Sequence, residues 1–325
     1  MKNILIKNYL MCNNKSIIKM LDISTNGSVT IHIPYGRSEV YYNRYYERAQ
    51  SNCNIKFNHL EPNRLIRFDY RNLYFNMIPC PNKDIAIVLK KKFEDRVISD
   101  KTVSWTEIHK VKKPFILAEK EVTQELFESI MGFNYSRFKC PENPVEMVSW
   151  YDCLAFCNKL SDYFGLNRYY TIEVSELGSR NAGDQDLVQS IRAAKIEENQ
   201  LSNGFRLPLD SEWQVAAKAD LNGLYSGAKY DTDLNMVAWN EDNSNNQTHP
   251  VAQKKPNEWG FYDMSGNVME WCMNKYDNSD KSPLAERVVR GGSWAGVGAI
   301  SSEIQGVQPF WRKENLGFRI ARNLT

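Results

Sequence analysis

The chemically capable side chains of this sequence include seven cysteines, Cys12, Cys53, Cys80, Cys140, Cys153, Cys157 and Cys272. With them stand four histidines, His32, His59, His109 and His249. Thiolates and imidazoles hold zinc, copper or iron where several of them converge on one ion. No CxxC spacing occurs and the histidines are scattered, which argues against a Cys/His zinc cluster. The odd number of cysteines argues against a local disulfide lattice and for free thiols in a reducing compartment. Cys153 and Cys157 lie one helical turn apart on an apolar stripe and read as small core residues. Hard oxygen donors occur in the block DMSGNVME. Asp263 and Glu270, with the backbone carbonyls of Gly266 and Val268 on the turn, would suit Ca²⁺. The same block also reads as a turn held by Asp263 side-chain bonds alone.

Length and charge limit the setting of these groups. At 325 residues the chain should form about two domains at ~150 residues each, or one large domain with an extension. A composition of 42% hydrophobic and 25% charged residues is that of a folded globular chain and excludes a disordered or collagen-like one. The net charge of +2 gives no global field toward nucleic acid or an anionic membrane. No run of ~18 apolar residues is present to span a bilayer. Lys7 and Asn8 interrupt the first apolar run, so the cytoplasm is the default compartment. Tyr9-Leu10-Met11 before Cys12 is an atypical lipoprotein-like alternative that would place the chain at a surface.

The elements that position these groups fall into two textures. Residues 1–104 read as a β-rich N-terminal domain: Val29, Ile31 and Ile33 alternate, and RLIRFDY, LYFNMIP and IAIVLKKKF are short apolar runs bounded by turn residues. Residues 105–325 carry longer amphipathic segments. A first helix runs through VTQELFESIM, with Thr123 as N-cap and Gly132 just beyond its end. A second begins at a Ser149/Asp152 capping box and buries Trp150, Cys153, Leu154, Phe156, Cys157 and Leu160. A third follows Pro208, with Trp213, Val215, Ala216 and Ala217 facing inward and Asp210 or Ser211 as its cap. The polar stretch 173–203 reads as an excursion with a short helical pattern around Leu187 to Ala194. After the third helix the chain is mostly loop.

Six blocks in order, EVTQELFESIMG, NPVEMVSWYDCLAFCNKLS, NGFRLPLDSEWQVAAKA, THPVAQKKPNEWGFYDMSGNVMEWC, RVVRGGSW and LGFRIAR, resemble the formylglycine-generating-enzyme (sulfatase-modifying-factor) domain. The resemblance covers Trp105 to Arg322. It implies a loop-rich α+β fold of the C-type-lectin-like kind, a structural calcium at Asp263, Gly266, Val268 and Glu270, and buried partners for Arg206, Arg290 and Arg319. Aldehyde-generating members bind copper through two cysteines downstream of GGSW; here the segment AGVGAISSEIQGVQPFWRKENL contains none, so no copper is expected. A branch resembling ergothioneine sulfoxide synthases recruits iron through three histidines of a helical N-terminal domain, and His32, His59 and His109 show no such spacing.

The resemblance extends to variable proteins of diversity-generating retroelements, whose ligand surface lies between GGSW and the terminal GFR strand. It implies a non-catalytic ligand-binding protein displaying a variable loop surface at 295–316. The candidate contacts are Ala295, Val297, Ser301, Glu303, Gln305, Val307, Gln308, Phe310, Trp311, Lys313 and Glu314. They are mixed in type, lack the paired carboxylates or nucleophile–base pairs of a hydrolase, and include aromatics of the kind that anchor interfaces. Trp294 reads as framework. The ligand expected is a protein or a small molecule. Diversification and drift after loss of catalysis would leave the same divergent insert. The alternative function is a metal-dependent oxidoreductase acting on a thiol substrate.

Overall fold

A computed structural model describes residues 18–24, 28–33, 37–42, 45–50, 54–57, 65–80, 84–93, 101–111, 113–179, 189–219, 223, 225–282, 284–296 and 304–324. For residues before 65, and for 84–93 and 101–110, it describes the backbone alone. The early strands are β1 (Ile18–Ser24), β2 (Ser28–Ile33), β3 (Arg37–Tyr42), β4 (Tyr45–Gln50) and β5 (Asn54–Phe57). There follow β6 (Leu65–Tyr70), β7 (Leu73–Cys80), β8 (Asp84–Phe93), β9 (Lys101–Lys110) and β10 (Phe115–Ala118). Helices α1 (Gln124–Met131) and α2 (Trp150–Tyr163) precede the hairpin β11 (Tyr170–Ser179) and β12 (Gln189–Glu198). Strand β13 (Phe205–Arg206), helix α3 (Asp210–Lys218) and the one-turn α4 (Leu234–Val237) lead to β14 (Met269–Lys275) and β15 (Arg287–Arg290). The chain closes with β16 (Gln305–Val307), β17 (Leu316–Gly317) and β18 (Ala321–Asn323).

The fold is α+β, and both helix starts legible in the sequence form as expected. Thr123 accepts the Leu126 amide at α1, and Gly132 adopts the left-handed conformation after it. Ser149 and Asp152 make the reciprocal capping box of α2, whose apolar stripe Trp150, Cys153, Leu154, Phe156, Cys157 and Leu160 is fully buried. The start of α3 differs from expectation. Neither Asp210 nor Ser211 caps it: Leu209 occupies the cap position, and its amide donates to Glu212 at 2.8 Å. Asp210 is instead drawn to Arg290 at 2.6 Å.

One further expectation is corrected. The pattern at Leu187 to Ala194 is not helical where it is described: residues 189–198 form β12, paired along its whole length with β11. Ile172 lies opposite Ile196 and Leu177 opposite Ile191, and such cross-strand apolar pairs stabilise a hairpin. The large sheet contains strands from both sides of residue 104. The seven-stranded sheet runs β13-β18-β10-β7-β6-β3-β4, so three strands from beyond residue 104 and four from before it join in one hydrogen-bonded sheet, meeting where β10 pairs with β7. Ile66, Phe68, Phe75 and Met77 share one buried cluster with Phe127, Phe156, Phe205 and Phe318. A second cluster joins Trp213, Val215 and Ala216 of α3 to Phe115, Leu117, Phe261 and Cys272.

A four-stranded sheet, ordered β16-β15-β14-β17, carries the segment of interest at its edge. It is tied to the larger sheet by Arg319 and Glu270, whose side chains have 0% exposure. Arg319 makes two bonds to Glu270, at 2.6 and 2.7 Å, and reaches the carbonyls of Ala118, Glu119 and Tyr262. Trp213 of α3 donates to the same carboxylate at 2.8 Å. Gly266, in the turn before β14, is held at φ +84°, where an added Cβ would collide with the Trp239 carbonyl oxygen. Removing one member of a buried pair strands the other's charge. Glu270→Ala should therefore cost about 3–5 kcal/mol in urea unfolding, and Glu270→Ala/Arg319→Met should be more stable than Glu270→Ala alone.

Candidate functional site

The segment from Ile304 to Leu316 is fastened to the start of α2, chiefly by backbone hydrogen bonds. The Trp150 amide donates to the Pro309 carbonyl and the Met147 amide to the Lys313 carbonyl, each at 3.0 Å. The Met269 amide donates to Asn315 at 2.8 Å. Asp152, already engaged in the helix cap, also receives Arg312 in a fork of 2.8 and 2.9 Å. Two parallel charge-assisted bonds fix orientation as well as distance. From the other side Trp294 is buried as expected, its indole N–H donating to the Glu314 carbonyl at 3.1 Å and its ring meeting Phe138 edge-on. Arg137 pairs with the Glu314 carboxylate.

On this base the expected contact residues separate. Ala295 and Gln305 are exposed, and Trp311 is 47% exposed with the Lys313 ammonium 5.0 Å from its ring. Gln308, Lys313 and Glu314 are part-exposed. Phe310 is half-buried against the core, and the Arg192 guanidinium of β12 lies 4.6 Å above its ring. Val307 is a correction. It is only 3% exposed and belongs to the core cluster, since its pairing opposite Arg287 on β15 turns the side chain inward. Val297, Ser301 and Glu303 lie outside the described residues. Met147, Trp294, Ala295, Arg312, Lys313, Glu314 and Asn315 enclose a depression of about 390 Å³. Sequence reasoning missed Arg312, Asp152 and Arg192. The capping box marked Asp152 as a structural carboxylate, but its partner lies 160 residues away.

The DMSGNVME block does not fit the expected calcium. Both Glu270 oxygens are taken by Arg319, and one also by Trp213. A cation there would compete with an arginine that already supplies the positive charge. Asp263 is buried; one oxygen accepts the Ala252 amide at 2.7 Å and the other has no partner. Burial, with the Glu270 charge adding to it, pushes its carboxyl up to about 6. The turn is held by Asp263 side-chain bonding, the other reading of the block. Among the described residues no cluster of three or more His, Cys, Asp or Glu is arranged to hold a metal ion. Burial also raises the Cys153 and Cys157 thiols, away from the thiolate form that ligates soft metals.

Residues 99–324 match the sulfatase-modifying factor enzyme 1-like domain family. The chain belongs to this family. It is 35% identical over 213 residues to the chaperone protein LppX of Paenibacillus barcinonensis, covering 60% of this chain and 72% of that protein. It is 32% identical over 136 residues to the inactive C-alpha-formylglycine-generating enzyme 2 of Bos taurus, 36% of this chain and 44% of the bovine protein. Treponema denticola variable protein 1 superposes with a TM-score of 0.62 at 31% identity, covering 79% of this chain and 98% of that one. Among the described residues no helix is long and apolar enough to cross a membrane.

Beneath the fastened segment lies Glu146, whose backbone exchanges hydrogen bonds with the Ser136 hydroxyl at 3.2 Å. One of its carboxylate oxygens accepts the Phe138 amide at 2.9 Å and the other has no partner. Burial pushes this carboxyl up to about 7; the Arg137 and Phe138 amides and Lys139 oppose the shift, and Glu314 adds to it. A carboxyl raised in the folded state holds its proton there longer than in the unfolded chain. Its stabilising contribution is present below the ordinary carboxylate range and is lost as pH rises through about 7. Glu146→Gln should remove that decline, raising stability at pH 8 relative to pH 5 by about 1–3 kcal/mol compared with the parent protein in urea titrations.

Proposed function

We propose that the protein is a non-catalytic binding protein that recognises another protein through the segment 304–315 and its neighbour Ala295. The observation that carries this reading is a segment fastened by backbone bonds at Pro309, Lys313 and Asn315 while Trp311, Gln305 and Ala295 face outward. Backbone anchoring makes the shape of the segment independent of the identity of its outward side chains. Pre-ordering the loop lowers the conformational entropy lost on binding. An exposed tryptophan flanked by Lys313 and Glu314 offers an aromatic anchor with a charged rim, and such anchors dominate protein interfaces. The open, shallow depression suits a protein surface better than an enclosed small molecule.

Similarity to the Treponema denticola variable protein supports the reading, as does similarity to a protein named a chaperone and to one named inactive. No cysteine follows Trp294 in the sequence, so this segment offers no thiolate pair to copper. Peptides selected from a displayed library on the full-length protein should bind about tenfold or more weakly to Trp311→Ala, with unfolding midpoints unchanged. Exchange of Gln305 and Gln308 for Ser should alter which peptides are selected. Selected ligands indifferent to both changes would overturn the proposal. In parallel, protein freed of loosely held metal should retain no stoichiometric copper or iron and consume no oxygen with a cysteine-containing peptide. Retention together with oxygen uptake would establish the oxidoreductase reading instead.

A further inference from the structure

We propose that the cleft between β7 and the first turn of α1 is a binding site for a small apolar molecule carrying an ammonium group. The site is separate from the face at 304–315. The cleft holds about 350 Å³, within the size range of small-ligand pockets. Phe75, Val122, Leu126 and Ile320 give it an apolar floor, and Lys120, Glu125 and Glu142 stand around it. Its β7 wall precedes the residues that match the family, so the cleft is formed jointly by the family domain and a strand outside the matched residues.

The charges select the ligand. Glu125 and Glu142 are exposed, and neither they nor Lys120 form an ion pair among the described residues. Two exposed carboxylates against one ammonium leave the rim net negative, and the third carboxyl of the lining, the buried Glu121, is bonded to Asn267 and the Val268 amide. The helix start does not reverse this preference, because its amides are already committed. Gln124 donates to the Asn143 carbonyl at 2.9 Å, Glu125 to Pro141 at 3.0 Å, and Leu126 to the Thr123 hydroxyl at 3.3 Å. An anion entering the cleft would find no free helix N–H and two like charges. A cation on an apolar body would place its body on the floor and its charge between Glu125 and Glu142.

The test uses calorimetric titration of the full-length protein with three probes of one shape: phenethylamine, 2-phenylethanol and 3-phenylpropionate. Saturable binding is expected for the amine alone, weakening as salt is added. In Glu125→Gln/Glu142→Gln the amine should bind about fivefold more weakly. In Glu125→Lys/Glu142→Lys it should be lost and 3-phenylpropionate admitted. Both side chains are exposed, so the variants should keep the parent's unfolding midpoint. Equal binding of the alcohol, undiminished amine binding in the Gln variant, or no saturable binding of any probe would each overturn the proposal. Peptides selected on the Trp311 face should bind the Gln variant as they bind the parent, so a failure here is distinguishable from a failure of the protein-binding reading.

Discussion

Arg319 and Glu270 meet with no solvent exposure on either side chain, and much of the structure is arranged around their contact. Burying two charges is costly unless the pair is close and its remaining hydrogen-bonding capacity is filled. Here the guanidinium also reaches three backbone carbonyls, at Ala118, Glu119 and Tyr262, and the carboxylate also receives Trp213. Those partners belong to the end of β10, the loop after it, the turn before β14 and helix α3. One ion pair thereby fixes the relative positions of both sheets in a region where loops outnumber regular elements. Two more carboxylates, Glu121 and Asp263, lie near the same arginine, and burial raises both of their pKa values. Burial thus disfavours further negative charge beside the pair.

The fastened segment shows how such a scaffold can tolerate change at its surface. A loop held by side chains loses its shape when those side chains change. A loop held by its own carbonyls does not, because each residue type presents the same acceptor. Pro309, Lys313 and Asn315 are bound in that way. The side-chain anchors are few and face inward: Arg312 to Asp152, and Trp294 into the framework beneath. The side chains of Trp311 and Gln305 are exposed beside these anchors.

Where thiols occur, burial sets their chemistry. Cys153 and Cys157 lie in the α2 stripe, and desolvation favours the neutral form. They serve the core as small apolar groups. The hairpin β11–β12 adds a second border to the candidate face, since Arg192 reaches Phe310. A charged residue laid over a half-buried aromatic covers its apolar surface while leaving the cation partly hydrated.

The sequence by itself determined the features whose partners are near in the chain. Thr123, Gly132, the Ser149/Asp152 box and the buried stripe of α2 follow from hydrogen bonds and periodicity within a few residues. The family blocks pointed to inward arginines at 206, 290 and 319, each of which has a carboxylate partner. Tertiary structure alone decided that β7 joins β10, that Val307 turns inward, and that Glu270 pairs with Arg319. It also decided that residues 189–198 pair as a strand, because β11 arrives alongside them in antiparallel register. Each of these depends on groups brought together by the fold, such as the 160-residue separation of Asp152 and Arg312. Local propensity carries no record of which distant side chain will arrive, and burial, which only the complete fold creates, sets the energy of the pair that forms.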